Sequence, residues 1–143
     1  MTGDVQYDIE RIGSICSDIR RYLVDLEQLN IGYAGDLSDK RNFYAVSMIL
    51  FSLLNRVLDL GNEVTIAHNL GIPKSYRDIF ILLWKNGFID EKCAKEMGRL
   101  VTYRNLLSHE YQGITPEKVF ELTKKVNTIK KFARFMQEKV KEQ

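Results

Sequence analysis

The stretch from Phe43 to Leu60 constrains this chain more than any other. Phe43, Val46, Leu50, Leu53, Val57 and Leu60 recur at the three-and-four spacing of one helical stripe, while Met48, Ile49, Phe51, Leu54 and Leu58 lie off it. A helix apolar on two faces has to be covered on both. It therefore belongs inside a helical bundle, and in a chain of 143 residues the second cover can be another copy of the chain. Its longest charge-free apolar run, FYAVSMILFSLL, is shorter than the roughly 20 residues of a membrane-spanning helix, so no membrane association is expected.

The remaining patterns are helical too. Asp4 is expected to cap a first helix with apolar residues at Val5, Ile9, Ile12, Cys16, Ile19, Leu23 and Leu26, ending near Asn30, Gly32 and Gly35. The second helix should start near Asp36 or Ser38 and run to about Asn69, with Gly61 as a possible bend. Pro73 separates it from a third, where Ser75 with Asp78 resembles a capping box and Asn86-Gly87 supplies a left-handed stop. Asp90 caps a fourth, with Cys93, Ala94, Met97, Leu100, Val101 and Leu107 inward and Gly113 as its end. Thr115-Pro116 starts a fifth, burying Val119, Leu122, Val126, Ile129, Ala133 and Met136. No strand-like alternation competes. The expectation is one all-α domain over residues 1–143, a bundle of about four long helices plus a short one.

Composition excludes several classes. At 45% hydrophobic and 28% charged residues the chain reads as globular, not disordered or fibrous. The N-terminus has no basic segment followed by an apolar one, so no signal peptide is expected and the cytoplasm is the expected compartment. Cys16 and Cys93 stand far apart with no C-x-x-C, and are expected to be buried, reduced thiols. The net charge of +2 is too mild to announce a nucleic-acid binder; residues 115–143 hold eight Lys/Arg and four Asp/Glu, which suits either a solvated face or one turned to phosphate. With two histidines and no acids at ligand spacing around them, no metal centre and no cofactor are expected.

One segment asks for more than packing: RLVTYRNLLSHEYQG. If the fourth helix continues through Tyr111, Arg104, Ser108 and Tyr111 share one face and Asn105 and His109 the neighbouring one. A bland reading is available, with Arg104 paired to a carboxylate, His109 at the negative end of its helix and Tyr111 packing its ring. The chemical reading is as concrete. Arginine presents a fork that fits phosphate, histidine titrates near neutrality, and Asn105 could hold the imidazole in one tautomer. That is equipment for attack of an RNA 2′-hydroxyl on its neighbouring phosphate, a reaction that needs a base, an acid and a cation but no metal. Asp59 and Glu63, one turn apart on the second helix, either orient Arg104 or His109 or are ordinary exposed carboxylates.

YRNLLSHEY contains R-x-x-x-x-H-x-Y and resembles the signature of the HepT toxins, within the HEPN superfamily of helical ribonucleases. The resemblance runs from about Arg41 to the C-terminus. LLNRVLDLGNEV, GIPKSYRDIFILLWKNGFID and YRNLLSHEY, then a final amphipathic helix, come in the family's order and spacing, while the first helix matches in character only. A bare R-x-x-x-x-H occurs often by chance; the tyrosine and the preceding blocks make the match specific.

The resemblance implies a two-fold homodimer whose paired Arg/His motifs line one cleft, which agrees with the doubly apolar second helix. It implies that Arg104 binds or stabilises the scissile phosphate of RNA, that His109 acts as general acid and base, and that Asn105 fills a polar position common after the motif arginine. It further implies a toxin of the type VII kind, held in check by a MntA-like minimal nucleotidyltransferase that adds AMP to Tyr111. AMP there would bring bulk and negative charge to the phosphate site. Two other readings stay open: a non-catalytic HEPN module that docks a nucleotidyltransferase or a nucleotide, and a plain structural bundle.

Overall fold

A single long helix, α2 (Lys40–Ala67), forms the axis of the computed structural model, which describes residues 5–108 and 113–142. Around it lie α1 (Ile9–Gln28), a 3-10 turn (Ala34–Ser38), α3 (Tyr76–Lys85), α4 (Glu91–Val101), the short α5 (Arg104–Leu107), α6 (Pro116–Thr123) and α7 (Val126–Lys141). The helix α2 touches each of the others. The architecture is all-α, with no strand among the described residues.

The apolar pattern of α2 explains that central place. Val46, Leu50, Leu53, Val57, Leu60 and Val64 are buried, as are Leu54 and Leu58 from the second face, so one chain covers part of both faces. Met48 and Tyr44 stay uncovered, 55% and 67% exposed. By length and composition α2 is apolar enough to cross a membrane. The apolar run of a dozen residues understates it, because Arg56 and Asp59 interrupt the pattern without ending the helix. Their charges are met in place: Arg56 Nη2 lies 2.8 Å from Asp18 Oδ2 on α1, and its Nη1 lies 3.0 Å from Asp59 Oδ2.

Gly61, expected as a bend, sits inside the unbroken helix. A Cβ there would fall 2.9 Å from Ile79 Cγ2 and 3.3 Å from the Phe132 ring, so the missing side chain admits α3 and α7 to close range. Phe132 and Phe80 meet edge to face at 5.2 Å, both fully buried.

Helix ends follow side-chain oxygens. Ser75, Asp90 and Thr115 each accept from the backbone N–H three residues on, as expected, and Gly87 takes φ +83 at the stop of α3. Other boundaries differ from expectation. The cap of α1 is Asp8, which accepts from Arg11 N at 3.0 Å, and Ile9 is 63% exposed instead of in the stripe. Asp39 caps α2, because residues 34–38 are taken by the 3-10 turn that Asp36 ties to Gly32 N. The fifth helix is two, α6 and α7.

That break and a second one share a cause. Thr123 Oγ donates to Phe120 O at 2.6 Å and Thr102 Oγ to Arg99 O at 2.6 Å, each followed by backbone bonds to the third residue back instead of the fourth. A threonine hydroxyl that competes for helix carbonyls favours such a tightened turn. The fourth helix therefore ends at Val101 and does not run through Tyr111.

Both cysteines are buried and free, and burial pushes the Cys93 thiol up to about 11. His68 closes the far end of α2. Its Nε2 is hydrogen-bonded to the Tyr7 hydroxyl, and its ring packs 4.7 Å from Phe88. Burial, then the nearby Lys139, hold its pKa below 6.5, while Glu142 opposes them. A base lowered by folding binds fewer protons folded than unfolded, so stability falls as pH drops below about 6.5. Urea midpoints measured from about pH 8 to about pH 5 should decline across that window in wild type and flatten in His68→Gln.

Candidate functional site

Because α5 is short and set off by the Thr102 turn, it packs on α2 and carries Arg104 with it. Arg104 Nε donates to Asn55 Oδ1 on α2, and Nη1 donates to Asn105 Oδ1 at 3.1 Å. The guanidinium carbon lies 5.4 Å from the Phe51 ring centroid and 5.1 Å from that of Tyr76. Arg104 is half-buried, and among the described residues no carboxylate pairs with it. That sets it apart from Arg11 and Arg56, whose charges are met by Glu63 and by Asp18 with Asp59. Amides and ring faces orient a guanidinium without neutralising it, so an anion is what the arrangement still accommodates.

The sequence-derived candidates separate in space. Arg104 and Asn105 stand together on α5. Of the two acids expected to orient Arg104 or His109, neither bonds Arg104: Asn55 holds that place. Glu63 is drawn to Arg11 on α1 at 3.0 Å, and Asp59 is drawn to Arg56. An acid on α2 meets the nearest arginine of its own layer first. Asp59 nevertheless lines an open cleft of about 560 Å³ with Leu58, Asn62, Lys74 and Tyr76, and Tyr76 is the ring against Arg104. His109 and Tyr111 lie outside the described residues. Ser108 leaves the helix at ψ 156 and its hydroxyl turns back to Asn105 O at 2.8 Å, so the helical face expected to carry Arg104 and Ser108 is interrupted at Ser108.

Three residues of the Arg104 setting were not singled out as site residues in the sequence. Phe51 reads as a packing position and Tyr76 as the first residue of a capped helix. Asn55 carried the only signal, a neutral polar residue inside the apolar run. The basic C-terminal segment is largely a solvated face in which Lys118, Lys131 and Lys139 meet Glu121, Asp90 and Glu142. No cluster of three His, Cys, Asp or Glu residues suited to a metal occurs among the described residues.

Comparison with known proteins adds to this geometry. The chain is 27% identical over 99 residues to the mRNA nuclease HepT of Shewanella oneidensis, an alignment spanning 67% of this chain and 72% of that protein. Its fold is similar to that of YutE, a cytosolic protein of unknown function from Bacillus subtilis, with a TM-score of 0.83 at 20% identity over 95% of this chain and 92% of that one. It is also similar to a tri-AMPylated HEPN toxin of Shewanella oneidensis in complex with its MNT antitoxin, with a TM-score of 0.79 at 24% identity over 90% and 97% of the two chains. The family model for HepT-like ribonucleases matches residues 16–138, and the chain belongs to that family.

Proposed function

We propose that this protein is an endoribonuclease of the cytoplasm, the toxin of a toxin–antitoxin pair, which cleaves RNA without a metal ion. The observation that carries the reading is Arg104, met by no carboxylate among the described residues and oriented by Asn55 and two aromatic rings beside an open cleft. In this mechanism a phosphate of the RNA seats on the guanidinium. A 2′-hydroxyl attacks the adjacent phosphorus, giving up its proton to a base. The P–O5′ bond breaks, and the leaving oxygen takes a proton from an acid, leaving a 2′,3′-cyclic phosphate. His109 supplies the acid–base function and Arg104 stabilises the charge that builds on the phosphorane. Asn105 steadies the Arg104 fork.

The site is completed by a second copy of the chain. Tyr44, Met48, Phe51 and Asn55 follow one another along one face of α2 at helical spacing, and the first two are uncovered. Burying that face across a two-fold axis would bring two Arg104 side chains toward one cleft. Met48→Glu should convert a dimer into a monomer by sedimentation, with cleavage lost alongside.

The deciding experiment is cleavage of an end-labelled RNA in EDTA by protein shown by intact mass to carry no AMP. Wild type should produce 2′,3′-cyclic-phosphate ends and His109→Ala should not; the absence of cleavage in wild type would overturn the catalytic reading. The partner in this proposal is a MntA-like nucleotidyltransferase that transfers AMP to Tyr111. Support comes from the AMPylated state of the related toxin. Incubation with such an enzyme and ATP should add AMP to wild type and block cleavage. Tyr111→Phe should gain no AMP mass and should go on cleaving RNA.

A further inference from the structure

We infer that the cleft between α2 and the start of α3 is a nucleoside subsite, which takes a base beside the phosphate on Arg104 and prefers bases bearing an exocyclic amino group. The inference rests on the proposal that RNA is the ligand of Arg104. Its observations lie elsewhere in the site. The cleft of about 560 Å³ falls in the size range of small-molecule sites. Tyr76, 49% exposed, lies 5.1 Å from the Arg104 guanidinium and lines this cleft, so an occupant of the cleft lies next to one held by Arg104. Leu58 gives the cleft an apolar wall, and Lys74 stands at its rim. An aromatic ring beside cations is how proteins hold unpaired bases: the ring takes the base face and the cations take the backbone.

The polar lining sets the preference. Asp59 is part of the lining, and its Oδ2 is fixed by Arg56 Nη1 at 3.0 Å, with Arg56 in turn held by Asp18. An ionised carboxylate only accepts hydrogen bonds. It suits the amino groups of cytosine, adenine or guanine better than the edge of uracil, whose one donor, N3–H, is flanked by the O4 and O2 acceptors that a carboxylate repels. Asn62, also in the lining, both donates and accepts and discriminates less.

The test uses short RNAs with a 2′-O-methyl block, which bind without being cut, in oligo(C), oligo(A) and oligo(U) series, beside cleavage mapping on a mixed RNA. Wild type should bind oligo(C) and oligo(A) more tightly than oligo(U). Asp59→Asn, which can donate to O4, should erase the difference. Tyr76→Leu should weaken binding about tenfold, Tyr76→Phe should bind as wild type, and the Tyr76→Leu loss should persist in an Arg104→Ala background. An unchanged base preference in Asp59→Asn overturns the subsite. So does a Tyr76→Leu effect that vanishes without Arg104, since Tyr76 then acts only through the arginine. Cleavage without the binding pattern sinks the subsite and leaves the nuclease standing. The binding pattern without cleavage does the reverse.

Discussion

Arg104→Ala is expected to lower RNA cleavage by about a hundredfold to a thousandfold, the loss typical of removing one donor that meets transition-state charge. The protein should stay folded. Arg104 is half-buried, and its partners are the amides of Asn55 and Asn105 and two ring faces, so its removal strands no buried charge. Arg104→Lys should recover little. An ammonium keeps the charge but has no Nε to give Asn55 while other donors meet phosphate, and it lacks the plane that lies against Phe51 and Tyr76. Single-turnover cleavage with thermal melts on the same samples checks both statements. Cleavage within about threefold of wild type would remove Arg104 from the chemistry.

The largest effect on stability is expected at Phe132. Its ring is fully buried, edge to face with Phe80, and it packs close against the backbone of α2 where Gly61 has no side chain. Phe132→Ala leaves a cavity that neither neighbour can fill, because Gly61 offers nothing to move and Phe80 is itself fixed. The cost should be about 3–5 kcal/mol. At the length of this chain that lowers the melting midpoint on the order of 10 °C. Chemical denaturation should show the loss with an unchanged slope. A loss below about 1 kcal/mol would mean that α7 is not seated on α2 as described. Activity at low temperature should survive, since Arg104 is oriented by Asn55, Asn105, Phe51 and Tyr76 and not by Phe132, and that separates this variant from Arg104→Ala.

Much of the fold was legible in the residues. The two-faced apolar pattern between Phe43 and Leu60 required a central helix, and α2 is that helix. Ser75, Asp90 and Thr115 announced helix starts because a cap is a local hydrogen bond, readable from a few neighbouring residues. The misreadings were places where two local signals competed. Asp8 caps the first helix, Asp4 lying outside the described residues, and Asp39 displaced Asp36 and Ser38 because those two belong to the 3-10 turn before α2. Thr102 and Thr123 looked compatible with a helix, yet each hydroxyl turned to a carbonyl and tightened the turn.

The motif R-x-x-x-x-H-x-Y and the order of the blocks around it determined the family from the sequence alone, since chemistry-bearing residue types are written directly in the chain. What orients Arg104 was not written there. Asn55 lies 49 positions away, and no local period connects an amide on α2 with an arginine on α5. Asp59 and Glu63 looked equally suited to that task; the packing of α1 gave Glu63 to Arg11, while Asp59 meets Arg56 three residues back on α2 itself. Hydrogen-bond partners across a bundle are set by how helices cross and where a turn interrupts them. The sequence therefore determined which groups are present, and the tertiary structure decided which of them meet, giving Arg104 an amide and two ring faces where Arg11 and Arg56 meet carboxylates.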